Sequence, residues 1–362
     1  MFFSYYTSFL DKNTIFAYMK VIIDDKIPFI REAALRLFDE VHFLPGAAIT
    51  QQDVRDADAL IVRTRTKCNE SLLHDSRVRC VVTATIGYEH LDTDYLERKG
   101  IYWTNCPGCN ASSVGQYIRN SLLLLKRAGL FTPDRATIGI VGVGHVGTAV
   151  LKAIRPFGCT ILLNDPPKAE TDPAPYSSLD EIAANCDIIT FHTPLTKGGK
   201  YPTFHLADEH FFRSLKKQPV IINAARGGTV DEDALLRALD SASVKAAVID
   251  TWENEPHISL PLLRKTFIGT PHIAGYSADG KSNATRMSLE APCRFFGIAP
   301  DFSICPPALP SAFRPSGNEE ERELQLYNPA NDSQALKENP DKFEYLRGNY
   351  PLRRESWEAG NI

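Results

Sequence analysis

Residues Thr137–Gly147 read TIGIVGVGHVG, an apolar run followed by glycines at 142, 144 and 147 in the spacing G-x-G-x-x-G. The run up to Val141 has the composition of a buried strand, and the stretch after Gly147 has helical character. In a strand–turn–helix unit the first glycine permits the tight turn. The second lets backbone approach a pyrophosphate, and the third lets helix and strand pack closely. The helix N-terminus adds partial positive charge. His145 and Val146 fill the variable positions of that turn. The next apolar run, TILLND, ends at Asp165, 18 residues beyond Gly147. A carboxylate there binds both hydroxyls of an adenosine ribose and repels a 2′-phosphate. Pro166 and Pro167 follow where an Arg or Lys would otherwise hold that phosphate. The stretch therefore predicts a site for NAD.

Outward from this unit the same alternation continues. Downstream lie DIITFHT, PVIINAA, KAAVID and FIGTPHIA; upstream lie VIIDDK, ALIVRT, CVVTAT and IYWTN. Helical spacing separates them, as in IPFIREAALRLFDE and in NASSVGQYIRNSLLLLKR, where Asn110 or Ser112 is the expected N-cap. Strands alternating with helices specify parallel sheets. The expected fold is α/β, with two doubly wound parallel-sheet domains (Rossmann-like or flavodoxin-like), a cleft between them and a small C-terminal appendage. The expected boundaries are a substrate-binding domain of residues 19–110 and 272–297, and a nucleotide-binding domain of 111–271. Residues 298–362 form the appendage. Its proline- and charge-rich start, SICPPALPSAFRPSGNEEEREL, reads as an exposed connection, and the appendage as a whole is expected to have low intrinsic stability.

The bulk composition narrows the function classes. The chain has 362 residues, 43% hydrophobic and 23% charged, with a net charge of −4. That suits an ordinary globular protein and favours neither nucleic acid nor a membrane surface as partner. There is no apolar run long enough for a membrane span, and the aromatic-rich N-terminus lacks the basic region and cleavage site of a signal peptide. The eight cysteines are scattered, which suits reduced thiols in a cytoplasm. Cys106 and Cys109 form a C-x-x-C, but no second pair or histidine cluster completes a zinc site, so no metal is expected.

Three later segments each place a reactive side chain just after a buried strand, the edge where open α/β sheets bind ligands. VIINAARGGTVDEDAL presents Arg226, AAVIDTWENEP presents Asp250 and Glu255, and IGTPHIAGYS presents His272. Oxidation of a 2-hydroxy acid needs a base for the hydroxyl proton while hydride moves to nicotinamide. His272 is the natural base. Glu255 would orient the ring and stabilise the imidazolium, and Arg226 would clamp the substrate carboxylate in a bidentate fork. Arg63, Arg65 and Lys67 cluster after ALIV and could receive a substrate phosphate near Thr64. His192 in TFHTP lies where it could line the cofactor site.

The segments GIVGVGHVG, DPP, TFHTPLT, INAARGG, DTWENEP and GTPHIAGYS resemble the D-isomer-specific 2-hydroxyacid dehydrogenase family over roughly residues 20–297. VRTRTKCNESLL, TATIGYEHLD, CPGCNA, LNDPP and HLADE narrow the resemblance to members acting on a phosphorylated 2-hydroxy acid. The resemblance implies that Arg226, Glu255 and His272 carry catalysis. It implies that Asp165, Thr193, Ala224, Asp250 and Gly275 contact NAD, and that Thr64, Thr85 and Tyr276 contact substrate. It further implies a cytoplasmic homodimer. The first 18 residues have no counterpart in the family, Thr64 stands where Ser is usual, and the C-terminal dimerisation-type region looks shortened. Other substrates of the same chemistry (3-phosphoglycerate, glycerate, glyoxylate) and an NADH-sensing, corepressor-like binding protein are the alternatives.

Overall fold

The computed structural model describes residues 18–357, so the N-terminal extension falls outside it apart from Tyr18, which is exposed. Two parallel sheets carry the fold. The first contains β1 (Lys20–Asp24), β2 (Glu40–Leu44), β3 (Ala59–Val62), β4 (Cys80–Thr83) and β5 (Tyr102–Thr104) in the order β2-β1-β3-β4-β5. The second contains β6 (Thr137–Val141), β7 (Thr160–Asn164), β8 (Ile188–Phe191), β9 (Val220–Asn223), β10 (Ala246–Ile249) and β11 (Ile268–Gly269), in the order β11-β10-β9-β8-β6-β7. Every expected strand is present. β2 was not expected: EVHFL is a half-exposed edge strand with no continuous apolar run.

Each sheet is buried on both faces, which is why its strands read as unbroken apolar runs. In β1, Val21 and Ile23 enter one core cluster while Ile22 enters another. In β8, Ile189 and Phe191 face one cluster and Ile188 the opposite one. Strand order reverses between β1 and β3 in the first sheet and between β6 and β8 in the second. Those are the points where such sheets bind ligands beyond their strand ends.

Compactness groups the residues differently from the sequence expectation. One unit takes the chain up to Pro107 with Ala284–Ile304; the other takes Gly108–Asn283 with Cys305 onward. Residues 272–283 thus stay with the nucleotide-binding sheet, and so does the C-terminal region. The expected C-terminal appendage docks its segments on the second unit. Leu336 and Phe343 enter the core cluster over one face of the sheet, and Tyr327 enters the other. The Asn120 amide donates to the Glu323 and Tyr327 carbonyls, and Ser333 Oγ accepts from the Gly269 N–H of β11.

Arg353 makes the strongest of these attachments. Its side chain is buried, lies 4.0 Å over the Tyr327 ring, and donates to the carbonyls of Ile273, Ala274, Tyr276 and Ser113 and to Gln116 Oε1. A planar fork of five donors can serve that many acceptors at once; a lysine ammonium cannot. Arg353→Lys is therefore expected to keep the charge yet lose about 2–4 kcal/mol of stability, through carbonyls left without donors. A chemical denaturation midpoint equal to that of the parent protein would show that the fork is dispensable.

Candidate active site

Three neighbouring strands of the second sheet deliver the three residues expected to do chemistry. Arg226 follows β9, Glu255 follows β10 and His272 follows β11. His272 Nδ1 lies 2.8 Å from Glu255 Oε2, and Glu255 Oε1 accepts the Trp252 N–H at 2.9 Å. With Nδ1 turned to the carboxylate, the imidazole keeps Nε2 for a reacting group. Burial pushes the Glu255 carboxyl up, but the His272 hydrogen bond and charge, the Trp252 N–H and the Arg347 charge outweigh it. The group is left below the ordinary carboxylate range. His272 itself adopts φ +56°, a left-handed backbone that a non-glycine residue occupies only under external constraint.

That constraint comes from both sides. Asp250, fully buried at the end of β10, accepts from the N–H groups of Ile273 and Ala274 and from Thr270 Oγ1. Tyr117 and Thr270 are hydrogen-bonded through their hydroxyls behind it. Gly275 is needed next, because a Cβ there would lie 2.2 Å from the Asn110 amide nitrogen, which donates to the Gly275 carbonyl. Asn110 does stand at the N-cap position of the Ala111–Arg127 helix, but its side chain is spent on Gly275 and caps nothing.

Arg226 is exposed, and its Nη1 donates to the Ala225 carbonyl. The following residue fixes where its turn sits: a Cβ on Gly227 would fall 1.9 Å from the Trp252 carbonyl oxygen. The Arg226 turn therefore packs directly against the turn that carries Glu255. Sequence reading passed over Gly227, although the doubled glycine of AARGG was the available signal. His205 ties the same two turns. Its N–H donates to the Gly228 carbonyl at 2.7 Å and its Nε2 lies 2.9 Å from Glu253 Oε1. Glu253 and Glu232 exchange backbone hydrogen bonds, each N–H donating to the other's carboxylate.

The residues expected to hold NAD fit a dinucleotide on observations internal to this chain. Gly142 has φ +88°, and a Cβ on it would come within 2.8 Å of the His192 carbonyl oxygen. Gly144 opens onto free space at the N-terminus of the His145–Ile154 helix, where a pyrophosphate can approach. A Cβ on Gly147 would lie 2.0 Å from the Gly142 carbonyl oxygen, so helix and turn touch only because the side chain is missing. At the end of β8, Thr193 Oγ1 and His192 Nδ1 are shielded from solvent without a hydrogen-bond partner among the described residues, which is what a missing ligand leaves behind. Burial pushes His192 down to about 3, so it is neutral. Asp165 Oδ2 accepts the Val143 N–H. Lys168, the residue after Pro167, turns its Nζ to the Val143 carbonyl at 2.5 Å. Around this edge His145 is exposed and Val146 and Ala224 are part-buried, His145 packing where a Gly108 side chain would stand.

The substrate-side candidates divide between the units. Tyr276 follows the His272 loop, with Lys281 Nζ 4.4 Å over its ring. Thr64 and Thr85 belong to the first unit, just beyond the C-terminal ends of neighbouring strands β3 and β4. Thr85 Oγ1 donates to the Gly87 carbonyl. Thr64 and Lys67 are exposed, while Arg63 Nη1 is held by the Lys26 carbonyl. Cys106 and Cys109 are both buried, and burial pushes the Cys109 thiol up to about 11.

Residues 125–274 match the family "D-isomer specific 2-hydroxyacid dehydrogenase, NAD binding domain". The chain is similar to erythronate-4-phosphate dehydrogenase of Bacteroides thetaiotaomicron, 54% identical over 345 residues, 95% of this chain and 99% of that protein. It is 41% identical over 350 residues to the protein of the same name from Escherichia coli O81, covering 93% of this chain and 92% of that one. Among solved structures, D-lactate dehydrogenase from Aquifex aeolicus complexed with NAD and lactic acid matches 77% of this chain and 96% of its own. That match has a TM-score of 0.60 and 25% identity. D-2-hydroxyisocaproate dehydrogenase covers 77% of this chain and 97% of its own at a TM-score of 0.65 and 22% identity, a likeness of fold.

The support beneath the Arg226 and Glu255 turns should register in stability. Burial pushes the Glu232 carboxyl up to about 7, with Glu253, Asp233 and Glu255 adding to the rise and the Glu253 N–H opposing it. A raised acid favours the folded state while it is protonated, so this contribution fades as pH climbs from the ordinary carboxylate range through about 7. Glu232→Gln keeps an acceptor for the Glu253 N–H and cannot ionise. It is expected to gain about 1–2 kcal/mol at around pH 8 and almost nothing near pH 5. Denaturation at both pH values checks this, and an equal change at the two would refute it.

Proposed function

The chain belongs to the D-isomer specific 2-hydroxyacid dehydrogenase family, and we propose that it oxidises 4-phospho-D-erythronate to 2-oxo-3-hydroxy-4-phosphobutanoate with NAD, a step in pyridoxal 5′-phosphate biosynthesis. The observation that carries the chemistry is the His272–Glu255 contact of 2.8 Å on the same sheet edge as the glycine fingerprint. The substrate assignment rests on the relatives named erythronate-4-phosphate dehydrogenase, which share 54% and 41% identity across more than nine-tenths of the chain.

NAD, held by the glycine turn, Asp165 and Thr193, supplies the hydride acceptor. Arg226 takes the substrate carboxylate, and its positive charge favours carbonyl character as it develops at C2. His272 Nε2 accepts the hydroxyl proton as the C2–H bond gives up its electron pair. Glu255 balances the imidazolium that results and keeps the ring from turning. Asp250 and Arg353 hold the loop so that no reorganisation is needed at that moment. Thr64, Thr85 and Tyr276 are the substrate contacts in this reading, and Arg63 and Lys67 receive its phosphate. The eight cysteines scattered along the chain fit a reducing cytoplasm, and no helix among the described residues is long and apolar enough to cross a membrane. The working form in this reading is a homodimer.

NADH production by the purified protein on D-erythronate 4-phosphate, 3-phosphoglycerate and D-glycerate tests the assignment. The four-carbon phosphate should lead by at least about 100-fold in kcat/KM, roughly 2.7 kcal/mol of transition-state preference. Arg226→Ala should lower that value about 100-fold or more. A win for another acid would remove the substrate, whereas NADH binding without turnover on any of them would favour an NADH sensor.

Charge removal tests the phosphate contacts separately. Arg63→Ala with Lys67→Ala should raise KM for the phosphorylated acid by about tenfold, with kcat nearly unchanged. An unaltered KM takes both residues out of the substrate site.

A further inference from the structure

The Phe343–Gly348 helix of the C-terminal region carries a charge the proposed mechanism does not use. Phe343 is buried in the core, which fixes the helix on the second unit, and Arg347 lies one turn further on. Arg347 Nη1 stands 3.5 Å from Glu255 Oε2, the oxygen that also faces His272 Nδ1 at 2.8 Å. The Arg347 side chain is 29% exposed, and its Nε is shielded from solvent without a hydrogen-bond partner among the described residues. Burial works against its charge, but Tyr276, Glu255 and Glu344 more than offset this, so the guanidinium is held in its charged form.

We propose that Arg347 is a positioning residue for proton transfer, fixing the Glu255 carboxylate and weakening its hold on the proton that His272 gains. The inference rests on the reading of His272 as the base. Charge accounting gives its direction. With a neutral imidazole, Glu255 and Arg347 form a balanced pair. With the imidazolium, one carboxylate faces two cations, and the set carries a net positive charge. Without Arg347, carboxylate and imidazolium would balance alone and the proton would be held harder. Arg347 thus keeps the neutral base available at lower pH during oxidation, and makes the imidazolium a better acid in the reverse direction.

The other charges around the couple are accounted for. Glu255 faces His272, Arg347 and the Trp252 N–H, with Glu232 behind its turn. His272 also feels Asp250, whose oxygens are taken up by Thr270, Ile273 and Ala274. Arg347 additionally faces Tyr276 and Glu344. Among the described residues, Arg347 is the one fixed cation paired with Glu255.

The test compares the full-length protein with Arg347→Met and Arg347→Lys. Two readouts are used: the pH profile of kcat/KM for oxidation, and the NMR titration of the His272 imidazole, assigned by His272→Asn. The Met variant should move the acid limb and the imidazole titration upward by about half to one pH unit. Its high-pH plateau should stay within about threefold of the parent, and the Lys variant should return both midpoints towards it. A limb and titration left in place by Met, with lost activity or a lower melting temperature shared by Lys, would reduce Arg347 to a structural prop. A raised KM for the phosphorylated acid with both midpoints unmoved would make it a phosphate ligand and overturn the proposal. The NMR titration needs no turnover, so failure of the substrate assignment and failure of the Arg347 inference are distinguishable.

Discussion

The peptide from His272 to Tyr276 is clamped between two buried charges of opposite sign. Asp250 takes the N–H groups of Ile273 and Ala274, while Arg353 donates to the carbonyls of Ile273, Ala274 and Tyr276. An anion on the donors and a cation on the acceptors of one short loop leave that backbone little freedom. This is what allows His272 to sit at φ +56°. Buried charges are tolerated only when paired or saturated with hydrogen bonds. The loop supplies most of the partners of each, Thr270 completing Asp250 and Ser113 and Gln116 completing Arg353, so the clamp and the loop depend on each other.

Much of the site follows from where parallel strands end. Strands β9, β10 and β11 are neighbours and point the same way, so Arg226, Glu255 and His272 emerge on one edge although they are far apart in sequence. The turns must then lie close enough to cooperate. Gly227 achieves this by omission, its missing side chain making room for the Trp252 carbonyl. His205 crosses the same gap with one backbone and one ring hydrogen bond, and it too carries a left-handed φ, of +51°. Of the five left-handed non-glycine residues among the described residues, these two, His205 and His272, lie at the turns that carry the candidate catalytic groups.

This division also marks what the amino-acid sequence could disclose. Buried parallel strands announce themselves because both faces are apolar, and the glycine turn because its spacing has a steric cause. β2 escaped notice because an edge strand with polar and aromatic residues has no such run. Asn110 matched the chemistry of a helix cap, yet a tertiary partner, the Gly275 carbonyl, claimed its amide. Arg347 and Arg353 lie in a basic, proline-flanked stretch whose local pattern assigns them no partner. Only the docking of Phe343, Leu336 and Tyr327 reveals that the C-terminal region belongs to the catalytic unit. Local pattern predicts elements well; it carries no information about which backbone groups a distant arginine will satisfy.

The same limit applies to the acids. Glu232, Asp250 and Glu255 come from one sheet edge, and nothing in their immediate sequence distinguishes their roles. Glu255 receives His272, the Trp252 N–H and the Arg347 charge, and stays ionised despite partial burial. Asp250 is fully buried, and burial raises it against three donors that stabilise its charge, all of them in the segment that leads into and through the His272 loop. Glu232 has one backbone donor and several carboxylates nearby, and is driven to about 7. Surroundings that push like groups apart are how one fold can keep one carboxylate as a permanent counter-charge and another near neutrality. The catalytic competence of His272 depends on that separation, because only a carboxylate ionised throughout the working range can orient the ring in both of its protonation states.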